Sequence, residues 1–143
     1  MLKKILLINE GHEEAGLFKE ALFEVSPRVA FYYAENGHDA IKKLKRGKAK
    51  NPGIIFLDID RPVMNGWQFL KEIKSRERFR HIPVIMYSKS SRKHEINQAI
   101  EMGAFGFFSK PDKYEQLKSK LHVITDAFGT GGKMSSQLPR EGR

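Results

Sequence analysis

Cysteine is absent from all 143 residues, which excludes disulfides, zinc–thiolate sites, iron–sulfur clusters and thiol nucleophiles. Histidine is sparse, and His12, His38, His81, His94 and His122 never fall at paired metal-ligand spacings, which argues against zinc chemistry. No apolar run approaches the roughly 20 residues that a membrane-crossing helix needs. The stretch behind Met1-Leu2-Lys3-Lys4 is too short for a signal peptide. Acidic residues are outnumbered, 17 against 26 Lys and Arg, for a formal charge of +9. These shortages together imply a soluble protein of a reducing compartment, expected in the cytoplasm, with no membrane partner.

What is present is enough for one core. Hydrophobic residues make up 40% of the chain and ten are Phe, at a length that suits one domain of about 100–150 residues. The excess positive charge is densest at Lys42, Lys43, Lys45, Arg46, Lys48 and Lys50, with a second group at Lys71, Lys74, Arg76, Arg78 and Arg80. A basic patch can attract nucleic acid or an acidic partner. In the first group, however, Ile41 and Leu44 fall at inward helical spacing, so the lysines form a wet helix face. Nucleic acid is therefore not the expected partner; a steep salt dependence of binding would indicate otherwise.

Short apolar runs alternate with longer amphipathic stretches five times. The runs lie at residues 5–8, 29–34, 54–57, 84–87 and 105–108, mostly continuous rather than alternating, as suits strands buried on both faces of a parallel sheet. Between them, Leu17, Phe18, Ala21, Leu22 and Val25 have helical spacing, stopped by Ser26-Pro27. Asn36-Gly37 opens a second helix, and Gly66 leads into a third through Trp67, Phe69, Leu70 and Ile73. Ile96, Ala99 and Ile100 mark a fourth, ended by Gly103 where a left-handed cap belongs. Asp112 with Glu115 three residues later reads as a capping box for a fifth helix that buries Leu117, Leu121, Ile124 and Phe128. The expected architecture is α/β: a doubly wound (βα)₅ flavodoxin-like three-layer sandwich with five parallel strands in the order 2-1-3-4-5. Residues 1–128 would form this domain. Residues 129–143, rich in Gly and Ser, would be a flexible tail with no output domain.

Open α/β sheets bind ligands beyond the carboxyl ends of their strands. The first strand ends in Asn9-Glu10, the third in Asp58, the fourth in Ser88 and the fifth in Ser109-Lys110-Pro111. In the order 2-1-3-4-5, Glu10 and Asp58 share one rim, with Ser88 and Lys110 further along it. Carboxylates suit a hard cation, while hydroxyl and ammonium suit phosphoryl oxygens, and an Asp carboxylate can itself be a nucleophile.

The stretch Ile54-Ile55-Phe56-Leu57-Asp58-Ile59-Asp60-Arg61-Pro62-Val63-Met64-Asn65-Gly66 carries the pattern hydrophobics–D–x–x–x–P–x–M–x–G. With Val84-Ile85-Met86-Tyr87-Ser88, Gly103-Ala104, Phe107 and Lys110-Pro111 in order, residues 3–128 resemble the receiver domain of bacterial two-component response regulators. The resemblance implies a stand-alone phosphorylation-driven switch. Asp58 would accept a phosphoryl group from a sensor histidine kinase or phosphotransfer protein. Ser88 and Lys110 would bind that group. Mg²⁺ would be held by Glu10, Asp58, the backbone carbonyl of Asp60 and, weakly through water, Asn9. Pro111 would follow a cis peptide that aims Lys110 inward. Ser88 and Phe107 would form the switch that remakes the face of the fourth helix, fifth strand and fifth helix for a downstream protein target. Self-association into a homodimer stays open. Such a protein is not an enzyme beyond its own phosphorylation and dephosphorylation.

Three positions depart from the family. Asn9-Glu10 stands where two acids are common, Glu10 is a methylene longer than the usual Asp, and Lys89 stands where a small residue is usual. With Glu10 and Asp58 as the pocket's only acids, Mg²⁺ should bind less tightly than in typical members. The first two departures also motivate an alternative, a degenerate receiver acting as a phosphorylation-independent interaction module, against which the presence of Asp58, Ser88 and Lys110 counts. A flavin-binding flavodoxin-like protein would need a Ser/Thr-rich loop after the first strand, whereas Asn9-Glu10-Gly11-His12-Glu13-Glu14 is acidic and repels phosphate.

Overall fold

In a computed structural model describing residues 2–46, 49, 51–60, 66–89 and 92–129, the strands are β1 (Lys4–Ile8), β2 (Ala30–Ala34), β3 (Ile54–Asp58), β4 (Val84–Ser88) and β5 (Gly106–Ser109). They alternate with α1 (His12–Val25), α2 (Gly37–Arg46), α3 (Gly66–Ser75), α4 (Lys93–Glu101) and α5 (Tyr114–Gly129). The strands form one parallel sheet in the order β2-β1-β3-β4-β5. That is the doubly wound arrangement the alternation predicts.

Strand side chains alternate between the two faces, and each face has its own core. Leu6, Ile8, Ile55, Leu57, Val84, Met86 and Phe107 pack with Leu44, Leu70, Ile73, Ile96 and Ala99 of α2, α3 and α4. Ile5, Leu7, Ile54, Phe56, Ile85, Tyr87 and Phe108 pack with Phe18, Ala21 and Leu22 of α1 and Leu117, Leu121 and Ile124 of α5. Phe18 centres an aromatic cluster on this second face, edge-on to Phe56 at 5.0 Å and to Tyr87 at 5.7 Å. Removing so enclosed a ring costs about 3–5 kcal/mol. Burial on both faces explains why β1, β3 and β4 read as continuous apolar runs.

Local chemistry sets the helix ends. Asn36 Oδ1 accepts the Asp39 amide at 2.9 Å and its carbonyl accepts Ala40 N at 3.0 Å, so the Asn-Gly signal is an N-cap. Gly103 adopts φ 103°, and the Ala104 amide reaches back to Ala99 O at 2.9 Å, the left-handed helix stop expected there.

Three details differ from the sequence reading. The α5 helix starts at Tyr114 with the Lys113 carbonyl as first acceptor for Gln116 and Leu117, so the Asp112–Glu115 capping box is replaced by a later start. Its last turn extends through Gly129, one residue past the expected boundary. Leu17, on the expected apolar stripe of α1, faces solvent at 49% exposure, because the sheet below is already covered by Phe18, Ala21 and Leu22. The Pro62–Met64 part of the motif, Lys48 and Lys50 of the basic run, and residues 130–143 lie outside the described residues.

Candidate functional site

Parallel pairing fixes which strand ends meet. Asp58 pairs with Tyr87 and Ser88 with Ser109, while the amide of Lys110 donates to Ser88 O at 2.7 Å. Asp58, Ser88 and Lys110 are thereby gathered at one edge of the sheet, as the strand order requires. Asn9, Asp58 and Ser88 are buried although polar, and such groups are retained only where partners or function compensate the lost hydration.

The centre of the site is the Lys110 ammonium. It lies 3.0 Å from Asp58 Oδ1, 3.0 Å from Asp60 Oδ2 and 3.0 Å from Glu14 Oε1, with its side chain only 4% exposed. It also sits 5.1 Å from the Tyr87 ring centroid, so an aromatic face supports the same cation. The peptide before Pro111 is trans, not cis: no cis bond occurs in the described chain. Lys110 reaches inward without it, because β5 pairing already aims the residue and three carboxylates attract its charge. An X–Pro bond favours trans by about 0.5–1 kcal/mol, so the cis form needs a local demand, and the inward reach of Lys110 makes none.

Two acids in this cluster were not expected from the sequence. Glu14 comes from the first turn of α1, where helix polarity favours a carboxylate. Asn9 orients it: Nδ2 donates to Glu14 Oε1 at 2.8 Å, while Oδ1 accepts the Gly11 amide at 2.6 Å. The Asn9 side chain is thus engaged by a turn and by Glu14. Asp60, expected to contribute only its carbonyl, brings its carboxylate: Oδ1 accepts the Ser88 hydroxyl at 2.6 Å and Oδ2 accepts the Lys89 amide at 2.9 Å. The signal for Asp60 was present, an acid two residues from Asp58 beside a strand end. Glu14 could be found only by knowing how α1 lies over the strand ends.

Lys89 therefore enters the site through its backbone, and its side chain is exposed. Glu10 is half-buried on the β2 side of the rim. Its charge is felt at Tyr33, where burial, Glu35, Asp39 and Glu10 all raise the phenol above its ordinary value. Phe107 is enclosed in the core against α4, its ring turned inward. Trp67 is half-buried against the same core, at the start of α3 as expected.

Burial raises the Asp58 carboxyl above the ordinary Asp range, and the Asp60 amide at 2.8 Å together with Lys110 only partly offset it. Burial acts the same way on Asp60, but Ser88, Lys89 N–H and Lys110 outweigh it and its carboxyl is lowered. For Lys110 burial acts downward, yet Asp58, Glu14 and Asp60 prevail and its ammonium is held above its usual value. Counted as formal charges, the Asp58, Asp60 and Glu14 carboxylates around the Lys110 ammonium sum to −2. Hard oxygen donors with that charge fit a dication such as Mg²⁺ in chemistry. They form no ready-made cage: among the described residues, no three acidic or histidine side chains are set to hold a metal. The presence of Glu14 and Asp60 removes the premise that this pocket is short of acids.

A doubly wound α/β domain with Asp, Ser and Lys at consecutive strand ends is the architecture of a signalling receiver. The chain matches the model of the response regulator receiver domain over residues 5–122, and it belongs to that family. It is 28% identical over 121 residues to the chemotaxis protein CheY1 of Helicobacter pylori, covering 85% of this chain and 95% of that protein. It is 32% identical over 139 residues to a protein-glutamate methylesterase/protein-glutamine glutaminase of Bacillus subtilis, but spans 37% of that longer protein against 91% of itself. Among solved structures, the phosphorylated cyanobacterial phytochrome response regulator RcpA superposes with a TM-score of 0.81 at 24% identity, over 93% of this chain and 98% of that one. Receiver domains are signalling modules that typically bind Mg²⁺ and interact with histidine kinases or phosphotransfer proteins. No helix among the described residues is long and apolar enough to cross a membrane.

Proposed function

We propose that this chain is a phosphorylation-dependent switch in which Asp58 accepts a phosphoryl group from a histidine kinase or phosphotransfer protein. The observation that carries the reading is the buried Asp58 carboxylate held 3.0 Å from an ammonium that is itself almost fully enclosed. A carboxylate oxygen of Asp58 attacks phosphorus in line. The bond from phosphorus to the donor's nitrogen or oxygen breaks, and the leaving group keeps the electron pair. Phosphoryl transfer asks a protein for position and charge rather than covalent chemistry. The Asp60 amide orients Asp58 through Oδ1, and the Ser88 hydroxyl, Lys89 amide and Lys110 ammonium are the donors for phosphoryl oxygens. A Mg²⁺ ion, held by Glu10, Asp58 and the Asp60 carbonyl, would neutralise charge developing on those oxygens.

Output in this reading is docking of a protein target to the face made by α4, β5 and α5, with Ser88 and Phe107 coupling the site to that face. Incubation with Mg²⁺ and acetyl phosphate, followed by intact mass, tests it. The expected result is the mass gain of one phosphoryl group, lost in Asp58→Asn; a gain that persists in Asp58→Asn overturns the assignment. The alternative, a phosphorylation-independent interaction module, is favoured by one observation, the Asp60 carboxylate that already engages Ser88, Lys89 and Lys110. Absence of any mass gain in the wild-type chain selects it.

A further inference from the structure

Three donors beside Asp58 converge on one anion, and that anion is part of the chain. The Ser88 hydroxyl reaches Asp60 Oδ1 at 2.6 Å, and the Lys89 amide and the Lys110 ammonium reach Asp60 Oδ2 at 2.9 and 3.0 Å. The same stretch of backbone ties Asp60 to Asp58, through the Asp60 amide and Asp58 Oδ1 at 2.8 Å. Hydroxyl, backbone amide and ammonium are the donor types that stabilise a phosphoryl group, and their satisfaction by a carboxylate leaves the seat filled.

We propose that the Asp60 carboxylate is a resident anion in the phosphoryl seat, so that Asp60 sets the rate at which this chain is loaded. The inference rests on Asp58 as the acceptor and adds a competitor for its donors. A group transferred to Asp58 arrives with its own negative oxygens and needs Ser88, Lys89 N–H and Lys110. Asp60 must give them up and swing outward, which its partly exposed position at 23% allows. Until then its charge repels the incoming group across a few ångströms of poorly screened space. The same contacts keep the Ser88 hydroxyl and the Lys89 amide ordered in the unloaded chain.

The test uses the whole chain, with Asp60→Asn and Asp60→Ala as variants; both keep the fold because the side chain lies at the rim. Beryllofluoride, which bonds to a carboxylate oxygen and presents three fluorines in phosphoryl geometry, is titrated in the presence of Mg²⁺ with the Lys89 amide shift as readout. Each variant is expected to bind it about tenfold more tightly than wild type, as removal of one close unit charge from an anion site implies. The affinity should fall again when Ser88→Ala is added to either variant. Equal affinities in wild type and both variants overturn the proposal. Acetyl phosphate labelling is followed in parallel and should be faster in both variants by a similar factor. If no chain is labelled while the beryllofluoride affinities still separate, the phosphoacceptor reading falls and takes the loading-rate claim with it, leaving Asp60 only as the anion that fills the seat.

Discussion

Lys110 holds its ammonium 3.0 Å from Asp58 Oδ1 while also serving Asp60 and Glu14 at the same distance, so one cation is divided among three carboxylates. A buried acid with a dedicated cation is lowered. Asp58 instead stays raised, because burial outweighs its share of Lys110 and the Asp60 amide. Asp58, the proposed acceptor, is thus less well compensated than Asp60, and that has consequences for stability as well as reactivity.

Asp58→Asn should stabilise the fold. A group whose folded pKa is raised costs stability when ionised, so the penalty is present above the folded value. It fades as pH falls through that value toward about 4, the unfolded carboxyl range. The variant should be more stable than wild type at pH 7, with the difference vanishing at pH 4 or below, read as urea midpoints at the two pH values. A variant less stable than wild type at pH 7 would show that Lys110 compensates Asp58 fully.

Lys110→Met should have the opposite sign and a larger size. Met keeps the apolar stem against Tyr87 but leaves Asp58, Asp60 and Glu14 facing one another without the Lys110 ammonium. Breaking one side of a buried ion pair costs about 3–5 kcal/mol. The raised Lys110 contributes stability that is complete below about pH 10 and lost as pH rises through its folded value, so the loss should be fully visible at pH 7. Combined with Asp58→Asn, the cost should shrink by at least about 1 kcal/mol, because the two charges are in contact. Strict additivity in the double-mutant cycle would contradict the shared-cation geometry.

The architecture was legible because parallel strands buried on both faces leave continuous apolar runs, and because Asn36-Gly37 and Gly103 carry their own local turn chemistry. Asp58, Ser88 and Lys110 were legible for the same reason: each ends a strand, and strand order alone brings strand ends together. Glu14 was not, since its place depends on how α1 packs over Ile5 and Leu7, a tertiary fact with no local signature. The Asp60 carboxylate was missed for a subtler reason: which way a loop side chain turns is decided by its acceptors, here the Ser88, Lys89 and Lys110 donors. The trans peptide at Pro111 belongs with these, because an X–Pro bond lies within about 1 kcal/mol of either isomer and its surroundings decide.

Gly66 closes the motif for a steric reason that can be measured. A Cβ there would lie 2.6 Å from Ile59 Cγ2 and 3.5 Å from Ile59 Cα. Ile59 is β-branched and sits between Asp58 and Asp60, so relief requires movement of the backbone that carries both acids. Gly66→Ala should destabilise by about 1–3 kcal/mol, the range for overpacking, and should slow acetyl phosphate labelling of the folded fraction. Unchanged thermal midpoint and labelling would mean that Ile59 yields without disturbing its neighbours.

Asn9→Asp tests the charge of the pocket most directly, and the geometry changes what should be expected of it. Counting only Glu10 and Asp58, the substitution restores a missing acid and tightens Mg²⁺ by about tenfold, since a unit charge about 5 Å from a dication contributes roughly 6–7 kcal/mol before desolvation cancels most of it. With Asn9 Nδ2 donating to Glu14 Oε1 at 2.8 Å, however, the substitution also replaces a hydrogen bond by two carboxylates in contact. The metal-free variant should therefore be less stable than wild type by about 1–2 kcal/mol, the cost of losing a part-buried hydrogen bond and gaining a like-charge pair. Millimolar Mg²⁺ should restore most of that loss, because a dication bound to the native state stabilises it in proportion to its occupancy. Thermal midpoints of wild type and variant with EDTA and with Mg²⁺ give all four corners. A larger metal-induced rise in the variant than in wild type supports a pocket whose carboxylates are held together by Lys110 and a bound metal. Equal rises would mean that Asn9 and Glu14 lie outside the reach of the bound ion.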